Sequence, residues 1–365
     1  MKLQCSIEKL KNAVSLADRM TGKNLTLPTL HAILLTASGK SLKIRATNLN
    51  VGIEVEIPAT ITTEGTVLVK GDILSNVSGH LSGTTDVTLS LEHDNLTLTT
   101  PTTTTVIKCM PPDEFPTLPV VEGESFEMKA ATLTEGIRSV YFCAATTDIK
   151  PEIASIFMYT EENTLTFVAT DSFRLAEKKI KMKNVPDISK LLIPYKNVAD
   201  ILRVLDMASD TVRIAFNRNQ IAISTNGIYL TSRLIDGAFP DYRMIIPKEE
   251  VTKVVMMKQE LLSTLRLSNI FADKFFQVLF SVSPETKKVV INSKNSDVGS
   301  SVSSVDAVVE GEAIEVAFNL KYFLDVFQAL AGDSVVLSFI KPTKPIIVRS
   351  VQDTTFLYLL MPANR

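Results

Sequence analysis

One block of sequence occurs three times in this chain, and that repetition limits the possible folds more than any other feature. In the middle copy, Leu191-Leu192-Ile193-Pro194 precedes a run in which Val198, Ile201, Leu202 and Leu205 keep the i, i+3, i+4, i+7 spacing of a helix face. Val212, Ile214 and Phe216 then alternate as on a strand. Upstream, Val67-Leu68-Val69 leads to Ile73, Val77 and Leu81, then to alternating Val87, Leu89 and Leu91. Downstream, 314–318 leads to Leu320, Phe323, Leu324 and Phe327, then to Val335, Leu337 and Phe339. The alternating segments begin 125 and 123 residues apart, and a second marker, 42–48 against 165–171, repeats at 123. A unit of that length is too long for a solenoid repeat and has the size of a domain. The chain is therefore expected to hold three similar domains of α+β type in tandem, at 1–121, 122–247 and 248–365.

Composition narrows the function classes. Hydrophobic residues make up 45% of the chain, enough for ordered cores, and the net charge of −2 argues against a protein that coats nucleic acid over its whole surface. Cys5, Cys109 and Cys143 form no C-x-x-C pair and fit neither a disulfide framework nor a zinc site. Lys2, Glu8 and Lys9 interrupt any leader-like apolar run, and no run reaches the ~18 residues of a membrane span. A soluble, cytoplasmic protein is expected, with no membrane association.

Element by element, the first repeat is expected to carry helices near 6–20 and 72–81, the second near 133–145 and 195–207, and the third near 259–267. Asp94-Asn95 and Arg218-Asn219 suit tight hairpin turns. In the third repeat that hairpin is expected to be replaced by Lys341-Pro342-Thr343-Lys344-Pro345. Its Ser/Gly/Asn-rich stretch 293–304 is expected to be mobile. Proline-marked boundaries fall at Pro111-Pro112-Asp113-Glu114-Phe115-Pro116 and at Phe239-Pro240-Asp241-Tyr242.

No catalytic pattern emerges. The chain lacks G-x-x-x-x-G-K, G-x-G-x-x-G and G-x-S-x-G, and His31, His80 and His93 lack metal-protease spacing. Asp171 with Arg174 could suggest a hydrolase on tandem β-rich domains, but a buried pair bracing a turn is the commoner arrangement. No catalytic residue, metal site or cofactor is expected.

Several segments carry a resemblance across the whole chain. They are 167–176 (Phe-Val-Ala-Thr-Asp-Ser-Phe-Arg-Leu-Ala), 239–243 (Phe-Pro-Asp-Tyr-Arg), 318–326 (Phe-Asn-Leu-Lys-Tyr-Phe-Leu-Asp-Val) and Leu360-Met361-Pro362. With threefold repetition at this length, the chain resembles the bacterial DNA polymerase III beta subunit, the sliding-clamp family. The resemblance implies the DNA clamp fold, a head-to-tail homodimeric ring with helices lining the hole and β-sheets outside. It also implies a processivity factor for DNA replication that encircles double-stranded DNA without sequence preference. Its expected partners are the DNA polymerase III alpha subunit, the clamp loader and other proteins bearing clamp-binding motifs. Positive charge is needed only on the inner helices, where Lys9, Lys11, Arg19, Arg138, Lys196, Arg203, Arg266 and Lys321 are candidates. Phosphate contacts carry no sequence information and so suit a sliding protein.

Carried over by position, the partner-peptide cleft comprises Ile153, Thr170, Phe173, Arg174, Leu175, Pro240, Phe275, Asn319, Tyr322, Thr343, Pro345, Leu359, Leu360, Met361 and Pro362. DNA contacts map to Lys23, Asn24, Thr147, Lys150, Lys196 and Arg203, and the dimer interface to Ile107, Arg266 and Leu267. The chain departs from the family pattern in places. Ser172-Phe173 replaces a usual Gly followed by a ring-bearing or polar residue. Met244, Tyr195 and Asn24 stand where Arg is common, and the terminal Arg365 falls three residues after Pro362 rather than two.

Overall fold

A computed structural model of the protein describes residues 1–22, 27–81, 85–183, 186–188 and 190–363. One element order, β-α-β-β-β-β-α-β-β-β, recurs three times. The first repeat runs β1 (Lys2–Ser6), α1 (Ile7–Arg19), β2 (Ala32–Ser38), β3 (Ser41–Thr47), β4 (Val51–Thr63), β5 (Gly65–Lys70), α2 (Gly71–His80), β6 (Asp86–Glu92), β7 (Asn95–Thr99) and β8 (Thr104–Met110). The second runs β9 (Glu124–Lys129), α3 (Ala130–Val140), β10 (Ser155–Glu161), β11 (Thr164–Thr170), β12 (Arg174–Lys181), β13 (Leu191–Pro194), α4 (Tyr195–Asp206), β14 (Thr211–Phe216), β15 (Gln220–Thr225) and β16 (Ile228–Arg233). The third runs β17 (Thr252–Met257), α5 (Lys258–Ile270), β18 (Gln277–Ser283), β19 (Lys288–Asn295), β20 (Gly299–Glu310), β21 (Ile314–Asn319), α6 (Leu320–Asp325), β22 (Ser334–Phe339), β23 (Ile346–Ser350) and β24 (Phe356–Leu360).

Local chemistry explains the helix limits. The Ser6 hydroxyl accepts the Lys9 N–H and starts α1, and the apolar stripe Ile7, Leu10, Val14 and Ala17 is buried. The Asn319 carboxamide oxygen accepts the N–H groups of Lys321 and Tyr322 and starts α6. Helix α3 ends at Val140, earlier than the apolar spacing suggested, because 141–143 tighten into a 3-10 turn.

Two expectations are overturned. The stretch 293–304 is not a mobile loop: Ser293 pairs with Ser301 and Asn295 with Gly299 in the β19–β20 hairpin. Period-two alternation there is weak, because serines stand at inward positions, with Ser293 buried and Ser301 and Ser303 half-buried, while Val302 is exposed. The proline-rich loop at 341–345 does not abolish its hairpin either, since Ser338 still pairs with Ile347 and Val335 with Ser350.

The chain packs as two units. The first holds Met1–Leu133 and Asn197–Leu234, and the second Thr134–Lys196 and Ile235–Arg365. Each is built on one 12-stranded sheet. In the first, the order is β1-β6-β7-β8-β5-β2-β3-β4-β16-β15-β14-β9, with β1 also pairing with β4. In the second it is β13-β10-β11-β12-β24-β23-β22-β17-β20-β19-β18-β21. The same rule joins repeats in both units. The fourth strand of one repeat pairs antiparallel with the last strand of the next, β4 with β16 (Val55 opposite Ile228) and β12 with β24 (Leu175 opposite Leu359).

Helices pack closely on these sheets. In α3, Gly136 has no side chain because a Cβ there would lie 2.4 Å from Cε2 of Phe167, which is fully buried. Glycine inside a helix ordinarily costs up to ~1 kcal/mol relative to alanine. Overpacking a core costs about 1–3 kcal/mol. Gly136→Ala is therefore expected to lower stability despite its helix propensity, seen as a lower urea midpoint. A raised midpoint would show that Phe167 gives way freely.

Candidate functional site at the seam of β12 and β24

The site grows from the turn between β11 and β12. The Thr170 hydroxyl donates to the Arg174 carbonyl (2.7 Å) and accepts the Ser172 N–H (3.1 Å). Asp171 Oδ1 accepts the N–H groups of Phe173 (2.9 Å) and Arg174 (3.0 Å), and its Oδ2 takes Arg174 Nε at 3.0 Å. This closure forces Ser172 to φ +78°, in the left-handed region. Glycine, which the resemblance leads one to expect at this position, adopts that φ without steric cost. Phe173 is left projecting, 59% exposed.

Arg174 ties the turn to the third repeat. Its guanidinium also pairs with Asp325 at the end of α6 and lies 4.4 Å from the Tyr322 ring centroid. Burial opposes its charge, but Asp325 and Asp171 more than compensate and raise its pKa. Desolvation raises the Tyr322 pKa, so its hydroxyl keeps its proton. The Phe173 ring stacks near Tyr322, with centroids 6.3 Å apart and planes at 24°. These contacts make a small aromatic wall whose geometry is held by a partly buried ion pair. Asp171 and Arg174 brace a turn, as the commoner reading of such a pair holds.

Beneath this wall lies the seam. Leu175 sits opposite Leu359 and Arg174 opposite Leu360, while Ile346 and Ile347 pair with Leu360 and Leu359 on the other side. Leu175, Leu359, Val168, Ile347, Leu357, Tyr159 and Tyr242 form one buried cluster, against which Phe157, Phe239 and Ile246 pack. The linker after the second repeat is anchored on it. The Tyr159 and Tyr242 hydroxyls are 2.8 Å apart, and Tyr242 donates to the buried Glu177 carboxylate. Pro240, next to Phe239, is exposed beside this cluster. The tail then crosses the seam: the Met361 N–H donates to the Phe173 carbonyl (2.9 Å) and the Ala363 N–H to the Ala317 carbonyl of β21 (2.8 Å).

The structure therefore brings Thr170, Phe173, Arg174, Leu175, Tyr322, Leu359, Leu360 and Met361 together, with Pro362 between Met361 and Ala363. Asn319 reaches Phe275 by donating from Nδ2 to its carbonyl at 3.5 Å, and Phe275 is 68% exposed. Pro345 is buried at the start of β23, Thr343 is exposed in the loop before it, and Ile153 lies half-buried in the turn before β10. Leu359 and Leu360 differ from expectation in one respect. Expected to line the cleft, both are buried strand residues, which leaves Met361 as the accessible apolar side chain of the tail. Sequence reading missed Asp325, Glu177 and Tyr358, whose hydroxyl donates to the Tyr322 carbonyl at 2.6 Å. Asp325 and Tyr242 lie inside the matching segments, but their partners are remote in sequence and no local spacing reveals them.

The proposed DNA positions fare differently. Lys23 and Asn24 lie outside the described residues, as does Arg365. Thr147 and Lys150 are exposed in one loop with Ile149, and Lys196 is paired there with Asp148. Arg203 is paired with Asp200 at 2.6 Å. Lys11 donates to the Gly79 carbonyl at 3.1 Å, and Lys321 lies 3.5 Å from the Phe276 ring centroid. Arg266 and Leu267 are exposed on α5. Ile107, expected at an interface, is instead 5% exposed within its own repeat, because it is the inward residue of β8; its neighbour Val106 is 61% exposed. Among the described residues no group of His, Cys, Asp and Glu is arranged to hold a metal, and no helix is long and apolar enough to cross a membrane.

Three tandem copies of one α+β unit, joined strand to strand, make up the fold of the DNA clamps. The comparisons give the particular family. Models of the DNA polymerase III beta subunit match its N-terminal domain at residues 1–119, its central domain at 127–241 and its C-terminal domain at 243–364. The beta sliding clamp of Synechococcus elongatus is 26% identical over 370 residues, covering 99% of each chain, and that of Bacillus subtilis is 25% identical over 377 residues, covering all of both. The solved DNA polymerase III beta subunit of Thermotoga maritima is 28% identical, with a TM-score of 0.93 over 100% of this chain and 99% of that one. The chain belongs to the DNA polymerase III beta subunit family. It is a sliding clamp for polymerase processivity, with no catalysis of its own.

The strained Ser172 offers a direct test of the turn. A non-glycine residue at positive φ costs about 1–2 kcal/mol, partly offset by the chain entropy glycine loses on folding. Ser172→Gly is expected to raise stability by up to about 1 kcal/mol, measured as a higher thermal midpoint. A lowered midpoint would show that Ser172 makes a stabilising contact that outweighs its strain.

Proposed function

We propose that two copies of this clamp close head to tail through β8 of one and β20 of the other. On this reading the ring encloses duplex DNA, and the seam between β12 and β24 takes linear peptides from the polymerase III alpha subunit, the clamp loader and other partners in the cytoplasm. The observation that carries the closure is the pairing rule within the chain. A repeat's fourth strand pairs with the last strand of the following repeat at β4–β16 and β12–β24. The fourth strand of the third repeat, β20, pairs with β19 through Gly299–Asp306 and has no strand on its other edge there among the described residues. The last strand of the first repeat, β8, pairs with β7 through Thr104–Lys108, and its other edge is likewise unpaired over that span. Unpaired edges in the equivalent positions favour a contact that closes by rotation. Val106 on β8 and Val302 on β20 are 61% and 66% exposed, unusual for β-branched side chains on edge strands without a partner.

This pairing replaces Ile107 as the diagnostic position, since a charge there would disrupt its own core first. Placing Glu at both Val106 and Val302 sets like charges at the closure. The double variant is expected to weaken the dimer at least about tenfold, by analytical ultracentrifugation, with each chain still folded. An unchanged dimer would move the closure elsewhere.

The peptide reading rests on the aromatic wall, the exposed Phe275 and the tail that crosses the seam. A few apolar and aromatic anchors dominate grooves of this kind. Ending the chain after Leu360 keeps β24 whole and removes Met361 and Pro362. The truncated protein is expected to stay dimeric. Its affinity for a labelled peptide carrying Gln and then spaced Leu and Phe should fall about thirtyfold, the loss of one anchor of ~2 kcal/mol. Undiminished binding in fluorescence polarisation would place the partner site away from the tail.

A further inference from the structure

Beyond the tail, the third repeat holds a second concavity. Asp273, Gln277, Leu279, Asn292, Lys294 and Ala317 line a cavity of about 190 Å³. Its floor is one row across three strands, Ala317 opposite Leu279 and Leu279 opposite Asn292. Ala317 is also the residue whose carbonyl accepts the Ala363 N–H, and Gln277 pairs with Asn319. The cavity thus begins where the tail and the Asn319–Phe275 corner end.

Its polar groups are mostly donors without a task. The side chains of Gln277, Asn292 and Lys294 have no hydrogen-bond or ion partner among the described residues, and Gln277 and Asn292 are half-buried. Half-buried amides facing a cavity hold unused hydrogen-bonding capacity. The one carboxylate, Asp273, is engaged: its Oδ1 accepts the N–H groups of Phe275 (2.9 Å) and Gln277 (3.1 Å). Lys274 lies over the Phe275 ring (5.0 Å to its centroid) and Lys321 over that of Phe276 (3.5 Å), so among the lining residues Lys294 is the cation that faces the cavity. Glu315 is turned toward Ser281, further along the sheet.

We infer that this cavity is a carboxylate site, which takes an Asp or Glu side chain flanking the apolar anchors of a peptide bound at the seam. The inference rests on the peptide reading above and adds a charged selectivity to it. The carboxylate oxygens accept from Lys294 Nζ and from the amides of Gln277 and Asn292, and Leu279 and Ala317 pack against the CH₂ stem. Such charge-assisted bonds are stronger than neutral ones.

The test uses the full-length dimer and two labelled peptides with the same Gln, Leu and Phe anchors. One carries Glu pairs at both flanks and the other Gln pairs. In low salt the acidic peptide is expected to bind about three- to tenfold tighter, the range for one partly exposed ion pair with hydrogen bonds. Lys294→Glu should abolish that advantage and leave the neutral peptide unaffected, and Lys294→Arg should retain it. Equal binding of the two peptides by the unaltered protein, or an acidic advantage that survives Lys294→Glu, would overturn the carboxylate site while leaving the seam intact. Failure of both peptides to bind would overturn the peptide reading and this inference with it.

Discussion

The architecture depends on satisfying strand edges. An edge strand presents a row of unpaired N–H and C=O groups, and this chain covers most of its edges with its own repeats. β4 takes β16 and β12 takes β24, so the strands of three domains join into two sheets. This is why the middle repeat divides between the two packed units, although it is continuous in sequence. The seams carry more than backbone hydrogen bonds. At the second, Arg174 pairs with Asp325, and Lys178 pairs with both Glu135 and Asp353. Burial works against the Lys178 charge, yet the two carboxylates raise its pKa.

The candidate site follows from that seam. A strand junction between two repeats leaves a linker on one side and a chain end on the other. Both pack on the cluster of Leu175, Leu359 and Tyr242. The turn that projects Phe173 must be stiff, because its position relative to Tyr322 is set by one strained residue and one guanidinium. Asp171 supplies that stiffness by using both carboxylate oxygens within the turn. A binding groove made from a seam is preorganised, since the groups that form it also hold the fold together.

Charge is handled differently on the helices. Lys196 and Arg203 are paired with Asp148 and Asp200, so they are not bare cations. On the proposed reading the clamp encloses its DNA and needs little adhesion, and cations already paired with acids would keep contacts to phosphate weak. That accounts for a DNA-binding scaffold of net charge −2.

The sequence alone determined the threefold repeat, most of the element order and the absence of catalytic spacing, because each is written in local periodicity. It also placed the seam residues through matching segments at 167–176, 318–326 and the chain end. Other features depend on contacts between residues far apart in sequence. No periodicity announces that β20 continues through a serine-rich stretch, because pairing with β19 replaces the missing side-chain signal. Ile107 and Val106 are adjacent on one strand, and only the packing of β8 decides which is buried. The partners of Arg174 and Tyr242, Asp325 and Glu177, lie 151 and 65 residues away. The unused donors around Lys294 become a cavity only when β18, β19 and β21 are laid side by side, since a cavity is a property of the packed surface rather than of any segment.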